Sequence, residues 1–157
     1  MAMSGRIYTM QFNAVTMSAV QDALAVYAGT TKKFAVLAVS LMQTSGSTVV
    51  NAKISFKHLP ATVTAGSAGS AGALKPWVTG DAAATVTGRV NDTTQATTSG
   101  TAITLFSGGW STLNGFDWFP PVNNRPPVID LSEAFVVSID TALASLVVSG
   151  TITIEEI

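Results

Sequence analysis

The chain has 157 residues, no cysteine and a formal net charge of -1. That length fits one domain able to bury a sizeable core unaided, and the missing cysteines exclude a disulfide framework, a thiolate metal site and a cysteine nucleophile. A pI of about 5.6 gives no electrostatic footing for nucleic acid.

Arg6 to Val15 alternates, with Tyr8, Met10, Phe12 and Ala14 on one face and Thr9, Gln11 and Asn13 on the other. Period two over this length predicts a half-buried strand. Thr16 to Asp22 reads as a short helical turn, and Ala23 to Ala28 as a strand or the rest of that helix. Lys33 to Gln43 is apolar on both faces, as an interior strand would be. Ser45-Gly46-Ser47 is a turn. Val49 to His58 alternates again, with Val50, Ala52, Ile54, Phe56 and His58 on one side. Two strands joined by a short Gly/Ser turn predict a hairpin.

Pro60 ends that strand. Ala65 to Ala73, AGSAGSAGA, offers almost no apolar area and predicts a mobile loop that could be shortened at little cost. A strand is expected over Ala84 to Val90, a Thr-rich loop over Asn91 to Gly100, and a strand over Ile103 to Trp110 broken by Gly108-Gly109. Phe116 to Phe119 is a short aromatic strand stopped by Pro120-Pro121, and Asn123 to Pro127 a stiff connector. Ala134 to Ile139 and Val147 to Glu156 complete the set. Eight or nine short strands with Gly, Pro, Asn and Ser between them predict an all-β, single-domain antiparallel β-sandwich over residues 1–157, jelly-roll-like, with residues 1–5 as a flexible arm.

Chemistry is sparse. His58 is the sole histidine, so a Ser-His-Asp site would need it, with Asp81 or Asp92 as acid. No G-x-S-x-G elbow is present. A strand-end histidine bonded to a backbone group is the simpler reading. Asp117, Asp130, Glu133 and Asp140 could converge near the C-terminal end, but without metal-ligand spacing. No catalytic, metal or cofactor site is therefore expected, and the glycines at 66, 69, 72, 108 and 109 read as conformational freedom rather than a phosphate loop. Trp110, Phe116, Trp118 and Phe119 form the densest aromatic group, suited to core packing, a glycan platform or an interface anchor. Alternation turns Phe116 and Trp118 to one face and Phe119 to the other. Trp77 lies outside any clear strand, and Arg125 sits on the stiff NNRPP segment. The candidate interface residues are Trp77, Trp110, Trp118 and Arg125.

Charged residues make up 11% of the chain and hydrophobic ones 47%, against about 25% charged in ordinary domains. Mean hydropathy is +0.41, yet no apolar run approaches the roughly 20 residues of a membrane helix. Thr and Ser supply the polar surface instead. A surface so poor in charge suits burial against neighbours, which predicts a symmetric homo-oligomer, and neither membrane nor nucleic acid as partner. Met1 to Arg6 has no apolar stretch behind a basic start, so no signal peptide is expected.

Taken together, GRIYTMQFNAV (Gly5 to Val15), PWVTGDAAA (Pro76 to Ala84), NDTTQA (Asn91 to Ala96), RPP from Arg125, and SGTITIEEI (Ser149 to Ile157) resemble a family of small virion proteins of tailed bacteriophages. The resemblance spans nearly the whole chain, and its motifs are structural. It implies a capsid decoration (cement) protein, a β-sandwich, often trimeric, whose partner is the major capsid protein. It would be made in the bacterial cytoplasm and carried on the capsid surface. A neck protein, or a tail-tip or fibre protein that binds a receptor or glycan, is the alternative.

Overall fold

The computed structural model describes residues 5–157. The expected arm over residues 1–5 lies outside them except for Gly5, whose N–H donates to Glu155 Oε1 (2.8 Å). The described residues contain no helix. Their strands are β1 (Arg6–Met17), β2 (Gln21–Tyr27), β3 (Phe34–Ser45), β4 (Asn51–Leu59), β5 (Val63–Thr64), β6 (Ser70–Gly72), β7 (Lys75–Pro76), β8 (Thr87–Asp92), β9 (Thr97–Thr98), β10 (Ile103–Ser111), β11 (Phe116–Trp118), β12 (Val128–Ile129), β13 (Ala134–Ile139) and β14 (Leu146–Glu156). That is fourteen strands rather than eight or nine. Six of them are two or three residues long, too short to show a period.

The strands form two antiparallel sheets packed face to face. The first runs β11-β3-β14-β1-β7, with β12 also on β3; the second runs β10-β4-β13-β2-β8-β6; a separate ribbon joins β5 and β9. β14 sits inside the first sheet and alternates without a break: Leu146, Val148, Gly150, Ile152, Ile154 and Glu156 are buried and the residues between them half-buried. β13 sits inside the second sheet and is buried throughout. Its two faces meet different apolar partners. Phe135, Val137 and Ile139 enter the main core. Ala134 and Val136 pack with Ala25 and Leu59 beneath Tyr27, Val63 and Ala96, so the β5–β9 region covers the outside of the sheet. A strand covered on both faces loses its polar alternation.

The alternation of β1 holds through Phe12 and then slips. Its pairing with β14 shifts between Phe12 and Val15, and Ala14 adopts φ 51° with its N–H on Ser149 Oγ (2.9 Å). This bulge exposes Ala14, expected inside, and lets Met17 take the buried phase. The helical turn expected at Thr16 to Asp22 is absent; β2 begins at Gln21.

Two further expectations are corrected. β3 and β4 are not a hairpin: β3 pairs with β14, β11 and β12, and β4 with β10 and β13. Alternation tells which face is buried but not which strand lies alongside, and the link from Ser45 to Asn51 crosses between the sheets. Ala65 to Ala73 is also not a loose loop. Ser70 to Gly72 pair with β8, Ser67 and Thr94 exchange backbone bonds, and the N–H groups of Gly66 and Gly69 donate to Tyr27 Oη and Asp92 Oδ1. A Cβ on Gly72 or Gly88 would collide with Met10 Sδ. The glycine at 72 therefore lets a first-sheet methionine lie against the second sheet, a packing role composition alone does not reveal.

Candidate interaction surface

The four candidate interface residues separate. Trp110 is 3% exposed, and its Nε1–H donates to Asn114 O (2.7 Å); it belongs to the core. Trp118 is half-buried and packs edge-on to Phe56 at 5.3 Å between ring centroids. Phe116 and Phe106 join the same aromatic cluster. Core packing thus claims Trp110 and most of Trp118. Phe119, one residue on, is exposed, as its opposite parity requires.

Trp77 is 64% exposed. Its Nε1–H donates to Thr9 Oγ1 (2.6 Å) and its backbone N–H to Ile7 O. The ring is therefore held against the β1 edge of the first sheet. Arg125 is exposed on the connection between β11 and β12, at the opposite edge of that sheet. Trp77 and Arg125 cannot contribute to one small site.

His58 meets a carboxylate, not a backbone group. Its Nε2 lies 2.5 Å from Glu133 Oε2, because β4 and β13 are neighbours that pair His58 with Phe135. Asp81 instead faces Arg6 and Asp92 faces Arg89, so neither completes a triad with His58. Of the four C-terminal acids only Asp130 and Glu133 stay together, the Asp130 N–H donating to Glu133 Oε2 (3.3 Å). Asp117 accepts from Ser40, Asp140 from Ser55 and Lys57, and Asp130 pairs with Lys33. The Lys33 hydrogen bond, helped by the Leu131 N–H, holds Asp130 below its ordinary value. Among the described residues no three His, Cys, Asp or Glu side chains are grouped as metal ligands would be.

The buried polar groups serve the fold. Asp22 accepts from Ala96 N–H (2.7 Å), Ser138 Oγ (2.7 Å) and Gln95 Nε2 (3.1 Å). Burial pushes its pKa up, and these hydrogen bonds partly oppose that. Glu156 accepts from Thr85 N–H and Oγ1 and from Val86 N–H. Both carboxylates tie the long β4–β10 connection to the sandwich.

Several exposed apolar side chains fall in one stretch of the chain. Ile103, Leu105, Leu113, Phe119 and Val122 are exposed, and all come from β10 and the chain running through β11. Here β10 ends the second sheet and β11 the first. Between Asp92 and Asp130 the only charged residues are Asp117 and Arg125. This neutral edge escapes a search for reactive side chains. Its signal in the sequence is a nine-residue strand without charge or proline, containing Gly108-Gly109.

Compared with protein-family models, with curated proteins and with solved structures, the chain matches none.

Proposed function

We infer that the chain is a structural virion protein of a tailed bacteriophage, a decoration protein that stabilises the head by binding across capsomers of the major capsid protein. The observation that carries this reading is the neutral, apolar edge at β10 and β11 on a two-sheet scaffold. Such a surface suits a partner that buries it, since exposed apolar patches mark interaction sites. Strand order supports the jelly-roll assignment. Taking β1, β2, β3, β4, β10, β11, β13 and β14 as first to eighth, one sheet holds the first, eighth, third and sixth, and the other the second, seventh, fourth and fifth. That is the order of two interlocked Greek keys, an architecture common to viral capsid and lectin domains. The sequence resemblance points the same way.

The mechanism is linkage rather than chemistry. A protein that binds the assembled shell more tightly than free coat subunits shifts disassembly by mass action, and many copies add their effects. Particles made with and without the protein, heated while DNA release is followed, test this. A higher release temperature with the protein present is expected. An unchanged temperature, with the protein found only at the neck or tail tip, overturns it.

Trp77 favours a second reading, a tail-tip or fibre module that binds glycan. Its ring is exposed while its indole N–H is already bonded to Thr9, which leaves a fixed aromatic face for a sugar ring. Glycan-array binding lost in Trp77→Ala would replace the first reading.

A further inference from the structure

We propose that β10 is a self-pairing edge: two copies of this chain join their second sheets through antiparallel β10–β10 contact about a two-fold axis at Gly108. The claim concerns the free protein and does not depend on shell binding.

The free backbone groups can be located from the ladder. Thr112 N–H donates to Val50 O (3.1 Å), one step beyond the Ser111–Asn51 pair that ends the β10–β4 register. Bonded and non-bonded pairs alternate along an antiparallel ladder. Trp110, Gly108 and Phe106 therefore exchange bonds with Ala52, Ile54 and Phe56, and the N–H and C=O of Ser107 and Gly109 point away from β4. No strand of the described residues lies on that side. The pairing with β4 shifts between Thr104 and Phe106, which bends the start of the strand. From Phe106 to Ser111 it is regular.

A second β10 fits this stretch. With the two-fold axis at Gly108, Ser107 faces Gly109 of the second copy and Gly109 faces its Ser107. Their outward N–H and C=O groups then close four hydrogen bonds. Gly108 meets its own image with no side chain to hold the backbones apart, and a Cβ on Gly109 would find nothing within 4 Å. Charge selects a copy of this chain as occupant. β10 carries no ionisable side chain, so self-pairing brings no like charges together. The flanking chain carries one acid and one base, Asp117 and Arg125, so the edge is neutral towards itself. Leu105 beside the pairing, with Leu113 and Phe119 nearby in the chain, supplies apolar area that the contact would cover. A two-fold edge contact closes as a dimer, not as the trimer that the resemblance implies.

Sedimentation velocity on the intact chain across the micromolar range tests this with Gly109→Lys and Ser107→Pro. The first places like charges about the two-fold axis; the second deletes an outward N–H while sparing the β4 ladder. Wild type is expected to be a dimer, with association weakened on the order of tenfold or more in each variant and melting retained. Register is checked by disulfide trapping in this cysteine-free chain. Ser107→Cys mixed with Gly109→Cys should cross-link, because bonded pairs lie about 5.5 Å apart at Cα, inside the roughly 4.4–6.8 Å disulfide range. Each single variant alone should cross-link much less. A monomeric wild type, a trimer, or a dimer indifferent to both substitutions overturns the proposal.

Discussion

On one side of the sandwich the two sheets end in β7 and β6, strands of two and three residues drawn from the long β4–β10 connection. On the other, the second sheet ends in nine-residue β10, with neither charge nor proline. The first edge is closed in several ways. Pro76 sits in β7, Gly72 admits Met10, and Asp22, Asp92 and Glu156 anchor backbone N–H groups of the connection. Such short, proline-bearing ends are how sheets avoid unwanted pairing. β10 has only the bulge near Leu105. The contrast teaches that this chain protects one edge at some cost in buried polar groups and leaves the other available.

The comparison breaks first if the covered edge is dispensable. Replacing residues 65–73 with a short Gly-Ser turn removes the Ser67–Thr94 pair, the Gly66–Tyr27 and Gly69–Asp92 bonds, and the β6–β8 ladder. At about 1 kcal/mol net each, the four named bonds come to about 4 kcal/mol. The expected fall in melting temperature is on the order of 10 °C for a domain this size. A change of only a few degrees would mean the stretch is as loose as its composition suggests.

Asp22→Ala is the next largest effect. It leaves the Ala96 N–H and the Ser138 hydroxyl without their carboxylate acceptor, at about 1–3 kcal/mol per orphaned group. Relief of the buried charge offsets part of that, so a loss of about 2 kcal/mol is expected, read by urea unfolding. An unchanged midpoint would show that water satisfies both donors.

Much of this contrast was legible in the sequence, though not its decisive part. β13 was read at Ala134–Ile139, and the facing sets of β14 followed from period two. The inward Tyr8, Met10 and Phe12 follow from the alternation of β1, and an interior β3 from apolar residues on both of its faces. What failed were matters that periodicity does not encode. Which strand lies beside β4 depends on the path of the chain between sheets. The pairing of Ser70–Gly72 depends on small residues fitting against Met10, whereas Ala, Gly and Ser carry no hydrophobic signal. Among the candidate interface residues, exposure of Trp77 and Arg125 followed from their Pro- and Gly-rich surroundings. Burial of Trp110 does not follow, because two consecutive glycines look like a break in a strand that in fact runs on to Ser111.

At the open edge the expected stability effect is close to zero. Gly109→Lys adds a side chain into open space, and a surface change of this kind stays within about 0.5 kcal/mol. Melting of the dilute protein should hardly move while self-association is lost. A large drop in melting temperature would place Gly109 among the residues that hold the fold.

What separates the edges most sharply is their response to pH. Burial raises the pKa of Asp22 in the folded chain, so between its ordinary value and the raised one the native state holds more protons than the unfolded state. Stability from this group therefore rises as pH falls through the raised value, is complete below the ordinary value, and is lost again as pH rises. Asp130, held low by Lys33, works in the opposite sense: its contribution is present above the ordinary carboxylate value and is lost as pH falls through the lowered one. Asp22→Asn isolates the first group, since the amide does not titrate. On acidification towards the ordinary carboxylate value, wild type should gain stability relative to Asp22→Asn, measured by urea unfolding at a series of pH values. A parallel pair of curves would show that Asp22 titrates alike in both states. β10 has no ionisable side chain, so association through it should vary little over the same range. A dimer whose dissociation follows the Asp22 titration would place the contact at the covered edge instead.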